Sequence, residues 1–121
     1  MPDDIDNLSS VLYKGQAFSL EETLDFAGWF AGLRDRKARA KIVGRIRRAA
    51  DGNFGDYRSV KGGVFEMRVD CGPGYRVYYF QRGKALVILL CGGDKRTQDA
   101  DVAYAKRLKE EIESRGGPEA L

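Results

Sequence analysis

Between residues 72 and 98 the chain reads GPGYRVYYFQRGKALVILLCGGDKRTQ, an apolar run with Arg76 ahead of it and Lys95 and Arg96 behind it. Arg68 lies just upstream, where Phe65, Met67 and Val69 alternate with Glu66, Arg68 and Asp70. In a strand that alternation puts the charged set on one face, so cations from three separate segments are expected to converge on the polar face and ends of one sheet. They can be tied up there as surface salt bridges, Arg68 or Arg76 cross-pairing with Glu66 or Asp70, or they can stand as an uncompensated cationic cluster. A second basic feature sits earlier in the chain. Residues 1–30 hold six acids and one lysine, whereas residues 31–50 hold eight cations and one acid. Such a block is the electrostatic footprint that a phosphate backbone requires; it also suits a plain solvated helix face.

The elements that position these residues follow from periodicity. Residues 9–18 read as a short edge strand. Ser19 and Glu22 have capping-box spacing, which predicts a helix from about Leu20 with Phe26, Trp29, Phe30 and Leu33 as its core stripe. After Arg34-Asp35 a second helix is expected to about Ala50. Ala38, Ile42, Ile46 and Ala49 form its apolar side, with Arg34, Lys37, Lys41, Arg45 and Arg48 on another side and Gly52 as the C-cap. From Tyr57 the period changes to two, giving strands near 57–61, 64–70, 75–81 and 84–91 with short glycine-containing connections, hence an antiparallel meander. The segment ALVILL does not alternate and is expected to be central. A last helix from about Thr97 sets Val102, Ala105, Leu108 and Ile112 on one face and stops at Gly116-Gly117-Pro118. The expectation is a single α+β domain over 1–121, with loose ends at about 1–8 and 116–121.

The chain has 121 residues, 43% hydrophobic and 32% charged, and no apolar run of membrane-spanning length. Its acidic, polar first residues are unlike a secretory signal, and Cys71 and Cys91 suit free thiols in a reducing compartment, so a cytoplasmic location is expected. Asp94 can cap the final helix or pair with Arg96, and Cys91 reads as core.

Three stretches, FAGWFAGLRDRKARAKIVGRIRRAADGNFGD (26–56), GGVFEMRVDCGPGYRVYY (62–79) and LLCGGDKRTQDADVAYA (89–105), resemble the RelE/ParE superfamily of toxin-antitoxin toxins. Within it they resemble the phage Gp49-like or addiction module killer branch, related to HigB. The resemblance implies an antiparallel sheet packed against helices and a metal-independent, cofactor-free endoribonuclease. It would cut mRNA on the ribosome, and a neighbouring antitoxin, often a small helix-turn-helix protein, would hold it inactive. Cleavage of this type uses the RNA's own 2′-hydroxyl, so the protein must remove a proton, stabilise charge on phosphorus and protonate the leaving oxygen. By resemblance Arg76 takes the phosphate-binding position, Lys95 and Arg96 match the basic pair after the last strand, and Arg68 matches a further basic position on the sheet. Lys37, Lys41, Arg45, Arg48 and Lys61 are expected to contact RNA.

The chain departs from the family pattern in three places. It has no histidine, it has Val64 and Glu66 where RelE has two sheet lysines, and Val102 stands at the catalytic tyrosine position, two residues before Tyr104. Glu66 is therefore the expected general base, with Lys61 and Lys95 as rivals. Two other functions fit the same residues: a ParE-like gyrase inhibitor, and a non-catalytic phage-derived module that binds a host factor.

Overall fold

In the computed structural model, which describes residues 8–116, the run ALVILL from Leu86 onward lies in β6 (Leu86–Asp94), a strand with neighbours on both sides. β5 (Tyr75–Arg82) pairs antiparallel with β6. β4 (Phe65–Val69) pairs antiparallel with β5, and the short edge strand β3 (Tyr57–Ser59) closes that side. This is the meander that the alternation predicts. On its other side β6 pairs in parallel with β2 (Ser19–Thr23), which forms a hairpin with β1 (Leu8–Lys14), so the six-stranded order is β1-β2-β6-β5-β4-β3.

β2 corrects the expectation of a helix from Leu20. The capping-box spacing of Ser19 and Glu22 is a local signal, and it loses to pairing with β6, which satisfies the backbone and buries Leu20 completely. The helix, α1 (Leu24–Ala31), begins one residue after the strand and is capped by Thr23. The buried Thr23 hydroxyl donates to the Leu90 carbonyl at 2.6 Å and accepts from the Phe26 amide at 3.0 Å, joining strand end, helix start and β6 at one atom.

α2 (Arg36–Ala50) starts where Asp35 accepts hydrogen bonds from the Lys37 and Ala38 amides. It ends in a Schellman turn, with the Asn53 and Gly52 amides bonded to the Arg48 and Ala49 carbonyls and Gly52 at φ 101°. A single 3-10 turn (Lys95–Thr97) then leads from β6 into α3 (Gln98–Gly116).

Helices cover both faces of the sheet. On one face Phe26 of α1 and Ile42, Ile46, Ala49 and Ala50 of α2 pack on Leu20, Met67, Val69, Val77, Tyr79, Val87 and Leu89. On the other, Ala105, Leu108 and Ile112 of α3 pack on Val64, Tyr78, Phe80, Ile88, Leu90 and Cys91. Burial on two sides is why Val87, Ile88, Leu89 and Leu90 show no alternation. The consecutive glycines at the end of β6 serve one face each. A Cβ on Gly92 would lie 2.3 Å from the Trp29 ring, and one on Gly93 would lie 1.8 Å from an Asp101 carboxylate oxygen.

No helix among the described residues is long and apolar enough to cross a membrane. Of the expected loose ends, Leu8 and Gly116 belong to β1 and α3, and the rest lies outside the described residues.

Candidate functional site: an arginine cluster around a buried carboxylate

Two adjacent cross-strand rows on the α3 face build the site. The first runs Arg58, Glu66, Tyr78, Cys91 across β3 to β6, and the second runs Arg68, Arg76, Gly93 across β4 to β6. α3 begins over Gly93, so its body covers the apolar part of this face and leaves the two rows at its N-terminal end. Arg68 and Arg76 stand directly opposite each other. Like charges in that register repel, and the arrangement holds only because a counter-charge sits one row away.

That counter-charge is Glu66, which has no solvent-exposed surface. Its Oε1 accepts from Arg58 Nε at 2.9 Å and lies 3.6 Å from Arg68 Nε. Its Oε2 accepts from the Tyr78 hydroxyl at 3.0 Å and from Gln98 Nε2 at 2.8 Å, and lies 3.5 Å from Arg76 Nε. Burial pushes the Glu66 carboxyl up. Hydrogen bonds from Arg58, Gln98 and Tyr78, with the charge of Arg58, outweigh it and hold the group below its ordinary value. The same contact, added to burial, raises the Tyr78 hydroxyl and keeps it a neutral donor.

The Arg76 side chain is nine-tenths buried, yet its Nε and that of Arg68 lack a hydrogen-bond partner. Arg76 Nη1 donates to the Gly74 carbonyl at 3.0 Å, which fixes the plane of its fork. Three guanidiniums around one carboxylate leave a surplus of two positive charges. Such a cluster can bind an oxyanion with planar donor forks.

The other sequence-selected residues distribute as follows. Lys95 is exposed in the 3-10 turn, two residues after Gly93, which pairs with Arg76. Arg96 is exposed and paired with Asp94, as expected, and the same carboxylate caps the 3-10 turn in place of the final helix. The hydrogen bond from Arg96 holds the Asp94 carboxyl below its ordinary value. Lys61 occupies the β3–β4 turn with φ 77°, and it lines a cleft beside the cluster together with Arg58, Ser59, Gln98, Asp99 and Val102. Val102 thus borders the site. Tyr104 does not: its hydroxyl donates to Asp25 at 2.7 Å, which together with burial pushes it up to about 12. Burial likewise pushes the Cys91 thiol up to about 12, as befits a core residue.

The basic stripe of α2 lies on the opposite sheet face, since α2 packs on Met67, Val69, Val77 and Tyr79. Lys37 and Arg48 are exposed there, and Lys41 Nζ donates to the Asp70 carbonyl at 3.2 Å. Arg34 precedes the helix. Arg45 is turned inward: it donates to the carbonyls of Arg68, Phe54 and Asp56, stapling α2 to β4 and to the loop after the helix. Burial lowers its guanidinium from its ordinary value.

Sequence reasoning missed Arg58 and Gln98. The hairpin between Val60 and Val64 puts Arg58 opposite Glu66, a register that the alternation of both strands could have supplied. Nothing in the sequence marks Gln98, which reaches Glu66 from 32 positions away.

The family described as phage derived protein Gp49-like (DUF891) matches residues 29–114, a span that contains every member of the cluster. An uncharacterized protein of Haemophilus influenzae is 52% identical over 93 residues, covering 77% of this chain and 94% of that protein. No solved structure matches the chain.

Proposed function

The chain belongs to the family of phage-derived Gp49-like proteins, and from that membership and the arginine cluster we propose that it is the toxin of a toxin-antitoxin pair, a ribosome-dependent endoribonuclease that cleaves mRNA. The observation that carries the reading is the cross-strand pair Arg68 and Arg76, one half-exposed and one nearly buried, which share the single carboxylate of Glu66 with Arg58 and so keep a surplus of positive charge. Their forks match the phosphate oxygens on which negative charge grows during 2′-hydroxyl attack. In that step the O2′–P bond forms as the P–O5′ bond breaks, leaving a 2′,3′-cyclic phosphate and a 5′-hydroxyl. One proton leaves the 2′-oxygen and one reaches the 5′-oxygen. The turns that carry Lys61 and Lys95 lie beyond opposite ends of the two rows, and these exposed amines serve the entering and leaving oxygens. Arg96 adds charge beside Lys95. The exposed cations of α2 bind ribosomal RNA on the far face, and the inhibiting partner is an antitoxin, a small helix-turn-helix protein.

The test is primer extension on an mRNA translated by purified ribosomes, run beside a gyrase supercoiling assay. The reading requires translation-dependent cuts with 5′-hydroxyl ends and unaffected gyrase. Intact mRNA with inhibited supercoiling would reassign the chain to the gyrase-directed class.

A further inference from the structure

We propose that Glu66 is a positioning residue that fixes Arg58, Arg68 and Arg76 as a three-guanidinium phosphate receptor, of which Arg58 is the third ligand; only the identity of the phosphate, that of RNA, rests on the nuclease reading above. A general base must present a free lone pair to the proton it takes. The four lone-pair sites of the Glu66 carboxylate face three hydrogen-bond donors and two further guanidiniums, and no part of it reaches solvent. Each arginine approaches it through Nε. A guanidinium held by its Nε edge presents its terminal nitrogens elsewhere. Among the described residues those terminal nitrogens make one hydrogen bond in total, from Arg76 Nη1 to Gly74.

Burial is graded across the cluster in a way that suits a receptor. The Arg76 side chain is 9% exposed, Arg68 43% and Arg58 53%, so one guanidinium lies deep and two reach solvent beside it. Arg58 also lines the adjacent cleft with Lys61 and Val102, so it connects the receptor to the surface along which the next nucleotide would lie. Rigid, preassembled donors stabilise transition-state charge without reorganising during the reaction. The function of Glu66 in this arrangement is to make three mutually repelling cations rigid, and it neither gains nor loses a proton.

The experiment follows the arginine Nε–H resonances by NMR as inorganic phosphate is added to the wild type, Arg58→Ala and Glu66→Gln, and measures ribosome-dependent cleavage by the same proteins against pH. In the wild type the three Nε–H signals should move together. Arg58→Ala, a half-exposed change on an edge strand, should weaken phosphate binding by about ten- to a hundredfold, the effect of losing a charged hydrogen bond. It should slow cleavage without moving the acid limb of the pH profile. If Glu66 were the base, removing its Arg58 donor would raise its pKa and shift that limb upward, and Glu66→Gln would abolish the limb; either result overturns the proposal. Under the proposal Glu66→Gln is slower with the wild-type profile, and its three Nε–H signals broaden or disperse as the guanidiniums lose their common anchor. Unaltered phosphate affinity in Arg58→Ala also overturns it. Should the wild type bind phosphate at all three arginines and cleave nothing, the receptor stands and the nuclease reading falls.

Discussion

Arg45 gives the sharpest contrast between a surface cation and a structural one. Helical spacing groups it with Lys37, Lys41 and Arg48, but its guanidinium donates to three backbone carbonyls and joins α2 to β4 and to the loop at 53–56. Hydrogen bonds from a charged donor contribute roughly 1.5–3 kcal/mol each, and neutral ones about 1. One of the three is long, at 3.3 Å to Asp56, and exposed, so water can replace it. The two others, to Arg68 and Phe54, are part-buried. Counting the partly buried pair and discounting for water access to the freed carbonyls gives roughly 2–4 kcal/mol for Arg45→Ala. At about 3–5 °C per kcal/mol for a domain of this size, the melting temperature should fall by roughly 6–20 °C. Arg48→Ala, one turn away and exposed, should change stability by less than about 0.5 kcal/mol. Urea unfolding of both variants decides the matter. If the two midpoints coincide, the staple contributes nothing and the reading of Arg45 as structural is wrong.

Three further outcomes follow from the fold and the cluster. The Glu66 carboxyl is held below its unfolded value, so the stability it contributes is fully present above the unfolded carboxylate range and is lost as pH falls through the folded value. Thermal melts of the wild type should therefore drop steeply below about pH 4, and those of Glu66→Gln less steeply; parallel curves would refute the linkage. Gly92→Ala drives a Cβ to 2.3 Å from the Trp29 ring and should destabilise the fold by about 1–3 kcal/mol, with a shifted emission from Trp29, the sole tryptophan. An unshifted spectrum at wild-type stability would show that the ring has other room. Thr23→Val removes the α1 cap and the hydroxyl bond to Leu90, and should lower stability by about 1–2 kcal/mol in denaturant titration.

The strands from Tyr57 onward were legible because alternation and glycine turns are local, and the 71–74 turn alone suffices to bring Arg68 and Arg76 opposite each other. β2 was not legible. Its partner β6 lies 67 positions away, and pairing at that distance leaves no periodic trace in five residues that also satisfy a capping pattern. Alternation assigned Glu66 to the charged face but could not say what covers that face. Its burial comes from Tyr78 on the next strand, Arg58 on the edge strand and Gln98 at the start of α3. Arg45 failed for the converse reason: periodicity gives direction around a helix, whereas its inward turn depends on three carbonyls supplied by a loop and a neighbouring strand.

If the Arg68 and Arg76 row grips a scissile phosphate, the single-turnover cleavage rate of a ribosome-bound mRNA must collapse in Arg76→Ala. Arg76→Lys, which keeps the charge and lacks the fork, is the matched control, and thermal melts and ribosome co-sedimentation are recorded on each protein. Glu66 retains Arg58, Tyr78 and Gln98 as donors when Arg76 is removed, so the variant should fold. The rate should fall by about a hundred- to a thousandfold in Arg76→Ala and recover little in Arg76→Lys, with ribosome binding unchanged. A folded, ribosome-bound Arg76→Ala that cuts at the wild-type rate would contradict it.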